Sequence, residues 1–128
     1  MIRKDDFSRL EINLAGCLDN YKYFRSRLEA STKLLVLVKA NAYGHGAVEF
    51  ASLMEEAGAD YLAVALPVEG VELREAGIKS PVIVLTAGTD FFHEIIDNDL
   101  EPGIPNLYSL KALCEVLEKR GVTDYPVH

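Results

Sequence analysis

Apolar positions along the 128 residues fall into two alternating patterns. Unbroken runs rich in Leu, Val, Ile and Ala occupy residues 34–38, 61–65 and 81–86. Runs of this kind are expected in strands covered on both faces, as in a parallel sheet. Between them, apolar residues recur at three- and four-residue spacing, the pattern of helices with one buried side. Residues 10–14 read as a short extended piece. Leu18, Tyr21, Phe24 and Leu28 then predict a helix over about 15–30, with Lys22, Arg25 and Glu29 on solvated faces. A helix over about 46–57 puts Val48, Ala51 and Met54 on one side, and Gly58 ends it. Pro67 opens a helix to about Ala76, closed by Gly77. Thr89 or Asp90 is expected to cap a helix over 91–97. Residues 100–104 form a weaker strand, because Pro102 and Gly103 interrupt it. Asn106 caps the last helix, whose apolar stripe is Leu107, Leu110, Cys114 and Leu117 and whose end is Gly121. Residues 125–128 look like the beginning of a fifth strand.

The strand starts at residues 34, 61, 81, 100 and 125 are 19 to 27 residues apart, the spacing of βα units in a parallel sheet. An eight-unit barrel needs about 250 residues, whereas an open doubly wound sheet of four or five strands fits this length. Periodicity alone admits both. The end of the chain inside a strand-like segment favours the first half of a TIM-like (β/α)8 barrel.

Composition changes this picture little. The apolar fraction of 49% and charged fraction of 26% are ordinary for a globular protein. A net charge of −7 without a long basic block argues against a nucleic-acid-binding surface. No apolar stretch is long enough to span a bilayer. Residues 1–6 begin basic but lead into no apolar run, so they do not read as a signal peptide. Cys17 and Cys114 stand far apart, outside any CxxC pair or zinc set. Without an export signal they read as reduced thiols of a cytoplasmic protein.

The chemistry concentrates at Lys39. It ends the apolar run at 34–38 and opens the segment Ala40-Asn41-Ala42-Tyr43-Gly44-His45-Gly46. In barrel and doubly wound folds, that end of a strand is where reactive groups are placed. A lysine partly stripped of water there is a candidate Schiff-base former. Gly44 and Gly46 suit a tight loop leading into a helix. His45 reads as a structural hydrogen-bonding residue, and it lacks partners at metal-ligand spacing, so no metal is assigned. His93 and His128 read as solvent-facing, Tyr108 and Tyr125 as core or interface. Asp5, Asp6, Glu55, Glu56, Glu115 and Glu118 read as solvated acidic faces.

The nine residues from Val38 to Gly46, VKANAYGHG, resemble the cofactor-lysine motif of the alanine racemases, which use pyridoxal 5'-phosphate. Leu62–Ala65 (LAVA), Glu72–Ile78 (ELREAGI) and Pro81–Leu85 (PVIVL) also resemble that family's N-terminal barrel, and the likeness covers nearly the whole chain. It implies that residues 1–128 are an incomplete N-terminal barrel domain, of about four βα units and the start of a fifth. It implies a homodimeric enzyme interconverting L- and D-alanine for cell-wall synthesis, with a small amino acid as substrate. Lys39 would carry the Schiff base and act as one of two acid–base groups. Tyr43 would contact the cofactor phosphate, and Leu85 would line the pocket near the ring. The family's second base is a tyrosine of the C-terminal domain of the other subunit. The arginine that meets the pyridine nitrogen and most of the phosphate loop also lie beyond the equivalent of His128.

Two other readings compete. A chain that keeps Lys39 and Tyr43 without a second base could bind the cofactor without turnover. Alternatively, a half barrel with exposed strand edges is a structural piece that pairs with another copy.

Overall fold

The computed structural model describes residues 8–128. The readings made for residues 1–6 lie outside them. Four strands, β1 (Leu35–Leu37), β2 (Tyr61–Val64), β3 (Val82–Val84) and β4 (Glu101–Pro102), form a parallel sheet in the order β1-β2-β3-β4. Helices α1 (Leu14–Ser26), α3 (Ala47–Glu56), α4 (Pro67–Glu75), α5 (Phe92–Asp97) and α6 (Leu107–Arg120) alternate with them. A short helical segment, α2 (Lys39–Gly44), follows β1, and a 3-10 turn, Thr89–Phe91, leads into α5. Sequential strands are neighbours throughout, as expected of successive βα units.

The register explains which residues are buried. Val36, Leu62 and Val82 lie side by side, and so do Val64, Val84 and Pro102. These positions share the face that meets the helices. Val38, Leu62, Val64, Val82 and Val84 are almost completely buried there, with Ala51 and Met54 of α3, Leu73 of α4, Phe92 and Ile95 of α5, and Leu113 of α6. The opposite face carries the row Leu37, Ala63, Ile83 and Glu101. Both faces of β2 and β3 are therefore covered, which is why their sequences show no alternation. The first strand departs from that expectation. It pairs on one side only among the described residues, and Leu35 remains 42% exposed. A groove of about 360 Å³ runs along it, lined by Cys17, Tyr21, Phe24, Leu35, His45 and Phe50.

Caps set the helix ends. The Asn13 side chain accepts the Gly16 N–H at 3.0 Å and starts α1, so residues 10–13 form no strand. The Asn106 side chain accepts the Ser109 N–H at 2.9 Å and starts α6, as expected. Gly58 and Gly77 follow α3 and α4 with φ of +86° and +92°, a conformation that costs glycine little. Neither Thr89 nor Asp90 caps a helix with its side chain; the 3-10 turn takes up that role. The stripe expected on α6 is also rotated. Leu107, Leu110 and Cys114 are exposed, while Ser109 and Leu113 are buried and Ala112, Val116 and Leu117 pack partly against the core. On α1 only Tyr21 of the expected stripe is fully buried. Tyr125 is half-buried, and its hydroxyl donates to Leu100 O at 2.6 Å. Burial is the main cause that pushes its pKa up to about 12. His128 adds a fifth strand-like contact: its N–H donates to Pro102 O at 3.0 Å and its carbonyl accepts from Ile104 N at 2.6 Å. Its ring is exposed, as expected, and is also engaged: Nε2 lies 2.6 Å from the Glu101 carboxylate and the ring meets Tyr61 edge-on.

The N-terminal ends of the strands are pinned by charged side chains. Arg74 donates to four carbonyls, of Ile78, Ser80, Asn98 and Asp99, at 2.8–3.2 Å. Asp60 accepts the Leu34 N–H at 2.7 Å and pairs with Arg25, which is therefore partly buried and not a solvated bystander. Glu55 is likewise no idle surface acid. It accepts from the Lys79 N–H, the Ser80 N–H and the Ser80 hydroxyl at 2.5–2.8 Å, just before β3. Burial alone would raise its pKa. The Ser80 and Lys79 hydrogen bonds and the positive charge of Arg74 outweigh that, and the carboxyl lies below its ordinary 4.5. A depressed folded-state pKa stabilises above the unfolded value and loses that contribution as pH falls through the folded value. Glu55→Gln is accordingly expected to lower stability at neutral pH. Its difference from the unaltered chain should shrink steadily below about pH 4.5 in urea melts.

Candidate active site

The other end of the sheet carries the candidate chemistry. Lys39 opens α2 just past the C-terminal end of β1, and Leu85 follows β3 directly. Pairing persists past the strand ends. The Leu85 N–H donates to Val64 O at 3.0 Å, Thr86 to Ala65 O at 2.9 Å, and Gly103 to Val84 O at 2.8 Å. Ala65, Leu85 and Gly103 therefore form one more row along the C-terminal edge, and the Val38 N–H donates to Ala63 O at 2.8 Å just before Lys39. β2 lies between β1 and β3, so with strands about 4.8 Å apart the ends of β1 and β3 that lead into Lys39 and Leu85 are roughly 10 Å from each other. Tyr43 joins them from the following turn: the Lys39 Nζ lies 5.9 Å from its ring centroid. All three residues expected at the site thus belong to the same end of the sheet.

The turn that brings Tyr43 back is unusual. Ala40, Asn41, Ala42 and Tyr43 all adopt left-handed helical backbone, with φ between 49° and 55°. For L-residues this costs about 1–2 kcal/mol each, with Asn the best tolerated. Such a segment persists only where its surroundings hold it. Ala42 is buried, and its N–H donates to Val38 O at 3.0 Å. The Asn41 side chain accepts the Ala47 N–H at 2.8 Å, tying the turn to α3, and Asn41 O accepts from Gly46 N at 3.1 Å. His45 Nδ1 lies 2.8 Å from Ala42 O, a structural contact as expected.

Glu69, in the first turn of α4, completes the hold and escaped the sequence reading. Its Oε1 accepts the Ala40 N–H at 2.6 Å. Its Oε2 accepts the Ala65 and Leu66 N–H groups at 2.8 and 2.9 Å. One carboxylate thus joins the Lys39 turn, the end of β2 and the start of α4. The available sequence signal was an acidic residue two positions after Pro67, which marks a helix start but not a reach of 29 residues back along the chain.

The edge leaves three chemically different side chains within reach of solvent. Lys39 is half-buried. Tyr43 is 60% exposed and Leu85 is 48% exposed, so a hydroxyl and an apolar side chain stand uncovered beside it. Among the described residues, no group of three or more His, Cys, Asp or Glu is placed to hold a metal ion, and no helix is long and apolar enough to cross a membrane.

Parallel βα units with a lysine at the C-terminal end of the first strand define a barrel-type site built around an amine. Comparison with known proteins makes the class specific. Residues 12–128 match the family model described as alanine racemase, N-terminal domain. The chain is 43% identical over 116 residues to the alanine racemase of Lactobacillus delbrueckii subsp. bulgaricus, covering 88% of this chain and 30% of that protein. It is 49% identical over 121 residues to that of Synechocystis sp., covering 93% and 32%. Among solved structures, an alanine racemase of Clostridium difficile superposes with a TM-score of 0.76 at 38% identity, over 85% of this chain and 29% of that one. The alanine racemase of Bartonella henselae, solved with covalently bound pyridoxal phosphate, shares the fold with a TM-score of 0.82 at 21% identity, over 91% and 32%. The chain belongs to the alanine racemase family, and its strands and helices are the N-terminal βα units of a TIM-like barrel. It spans about a third of the length of the relatives it matches.

Proposed function

We propose that this chain carries the cofactor-lysine part of a pyridoxal-phosphate-dependent alanine racemase. The observation that carries the reading is the shared edge of Lys39, Tyr43 and Leu85, in a chain of this family. When bound, pyridoxal phosphate supplies an aldehyde for the amine and a ring that takes up the negative charge left by a departing α-proton. The chain's own residues would do the rest of the work at this edge. The Lys39 Nζ would hold the cofactor and would carry a proton to or from one face of the amino acid. The Tyr43 hydroxyl binds the phosphate, and Leu85 packs against the ring. Proton transfer on the opposite face would need a base from the remainder of a full-length racemase, contributed by a second subunit. In that setting the substrate is alanine, the product serves the cell wall, and the enzyme is a cytoplasmic homodimer. This chain alone is expected to bind the cofactor and to racemise poorly or not at all.

The test is covalent. The chain is mixed with pyridoxal phosphate, reduced with borohydride and mapped by mass spectrometry. The amine and aldehyde join with loss of water, and hydride then converts the C=N link into a stable C–N bond. Preferential label at Lys39 is expected. Even labelling of the exposed Lys22, Lys79, Lys111 and Lys119 would sink the reading.

The side of β1 that has no strand partner among the described residues, with its exposed Leu35, favours a second reading, in which the chain acts as a structural half barrel. Apolar strand edges of this kind recruit other strands. Light scattering is expected to find the isolated chain self-associated; a clean monomer would contradict that.

A further inference from the structure

We propose that Glu69 is a positioning residue that sets the Lys39 amine for cofactor bonding. This rests on the reading of Lys39 given above. The Ala40 N–H that Glu69 receives belongs to the peptide group directly after Lys39, so the bond fixes the backbone from which the lysine side chain departs. That peptide is also where the chain leaves the strand for four left-handed residues, a conformation the residues themselves disfavour. Without a strong acceptor, the Ala40 N–H would need another partner, and the turn would lose the hold nearest to Lys39. Charge-assisted hydrogen bonds are the strong class, and this one is short. The second carboxylate oxygen anchors the strap at both ends of the β2–α4 junction, which is itself part of the same rim. Glu69 therefore acts through the backbone. It does not need to touch cofactor or substrate.

Glu69→Gln separates this role from helix capping. The glutamine oxygen can keep the pair of bonds to Ala65 and Leu66, which leaves its NH2 facing the Ala40 N–H, two donors opposed. The cap then survives while the strap to the lysine turn is broken. The readout is the fraction of pyridoxal phosphate label on Lys39 relative to Lys111 and Lys119, measured well below the melting temperature. Loss of one charge-assisted bond on this peptide is expected to lower that selectivity about tenfold. Glu55→Gln serves as control. It weakens the opposite end of the sheet and is expected to leave the label ratio unchanged. Equal selectivity in Glu69→Gln and the unaltered chain would overturn the inference while leaving the cofactor reading intact. Absence of selective label in the unaltered chain would bring down both. A measurement on the unaltered chain guards against a variant that does not fold: the Ala40 amide should exchange slowly with deuterium, and exchange at the rate of an open loop would overturn the strap.

Discussion

Lys39→Ala is expected to abolish selective pyridoxal phosphate labelling and to leave the fold in place. Lys39 is only partly buried, and Val38 beside it, not Lys39, belongs to the packed core. Truncation therefore removes an amine without opening a cavity. Among the described residues no other lysine shares the C-terminal rim with Tyr43 and Leu85, so the remaining label should fall to the background of exposed lysines such as Lys22, Lys33, Lys79, Lys111 and Lys119. Lys39→Arg should be equally silent. A guanidinium stays protonated and cannot attack an aldehyde, although it keeps the positive charge and the length. The pair of variants thus separates bond formation from charge attraction. If Lys39→Arg kept the label on neighbouring peptides, the aldehyde would be reacting elsewhere on the rim, and the assignment of Lys39 would be wrong.

The largest stability effect is expected at Phe92. Its side chain is fully buried, while Phe91 next to it is 49% exposed. Phe92 packs in the core cluster with Ile95, Leu100 and Leu113. Deleting a buried phenyl ring loses its transfer free energy and leaves a cavity, about 3–5 kcal/mol in all. Against a total stability of about 5–15 kcal/mol, that is a large share. The melting temperature of Phe92→Ala should drop by about 10 °C or more. Phe91→Ala should stay within about 0.5 kcal/mol of the parent. Equal effects from the two would mean that Phe92 is not the buried member of the pair.

These two phenylalanines also mark where the sequence stops being legible. Strands β2 and β3 could be read directly, because runs such as YLAV and VIV are long enough and apolar enough to leave no other element. The placing of Lys39 just past a strand end was legible as well, because the apolar run stops at Val38. Helix phase was not. Around α6 two stripes compete: Leu107, Leu110 and Cys114 are the larger side chains, yet Ser109, Ala112 and Leu113 face the core. Small residues let the helix approach closely, and that choice is made by contact with the rest of the fold. Carboxylates were the other blind spot. Glu55, Glu69 and Glu101 each sit in a helix start, a helix end or an edge strand where solvation is the default reading. Their partners lie 24 to 29 residues away, at Lys79, Ala40 and His128. Distances of that length are set by the βα repeat itself, which brings every second turn of the chain to the same rim.

The left-handed turn between Lys39 and Gly44 has a stereochemical consequence. It is a mirror-image helical turn written in L-residues. D-residues would fall into it without strain, whereas each L-residue enters against its preference. The segment therefore behaves as a loaded spring with three catches: Glu69 at Ala40, Val38 at Ala42 and Asn41 at Ala47. Release of a catch would let it relax toward ordinary backbone and carry the tyrosine away from the lysine. The handedness of four residues thus decides whether the amine lies over the tyrosine ring.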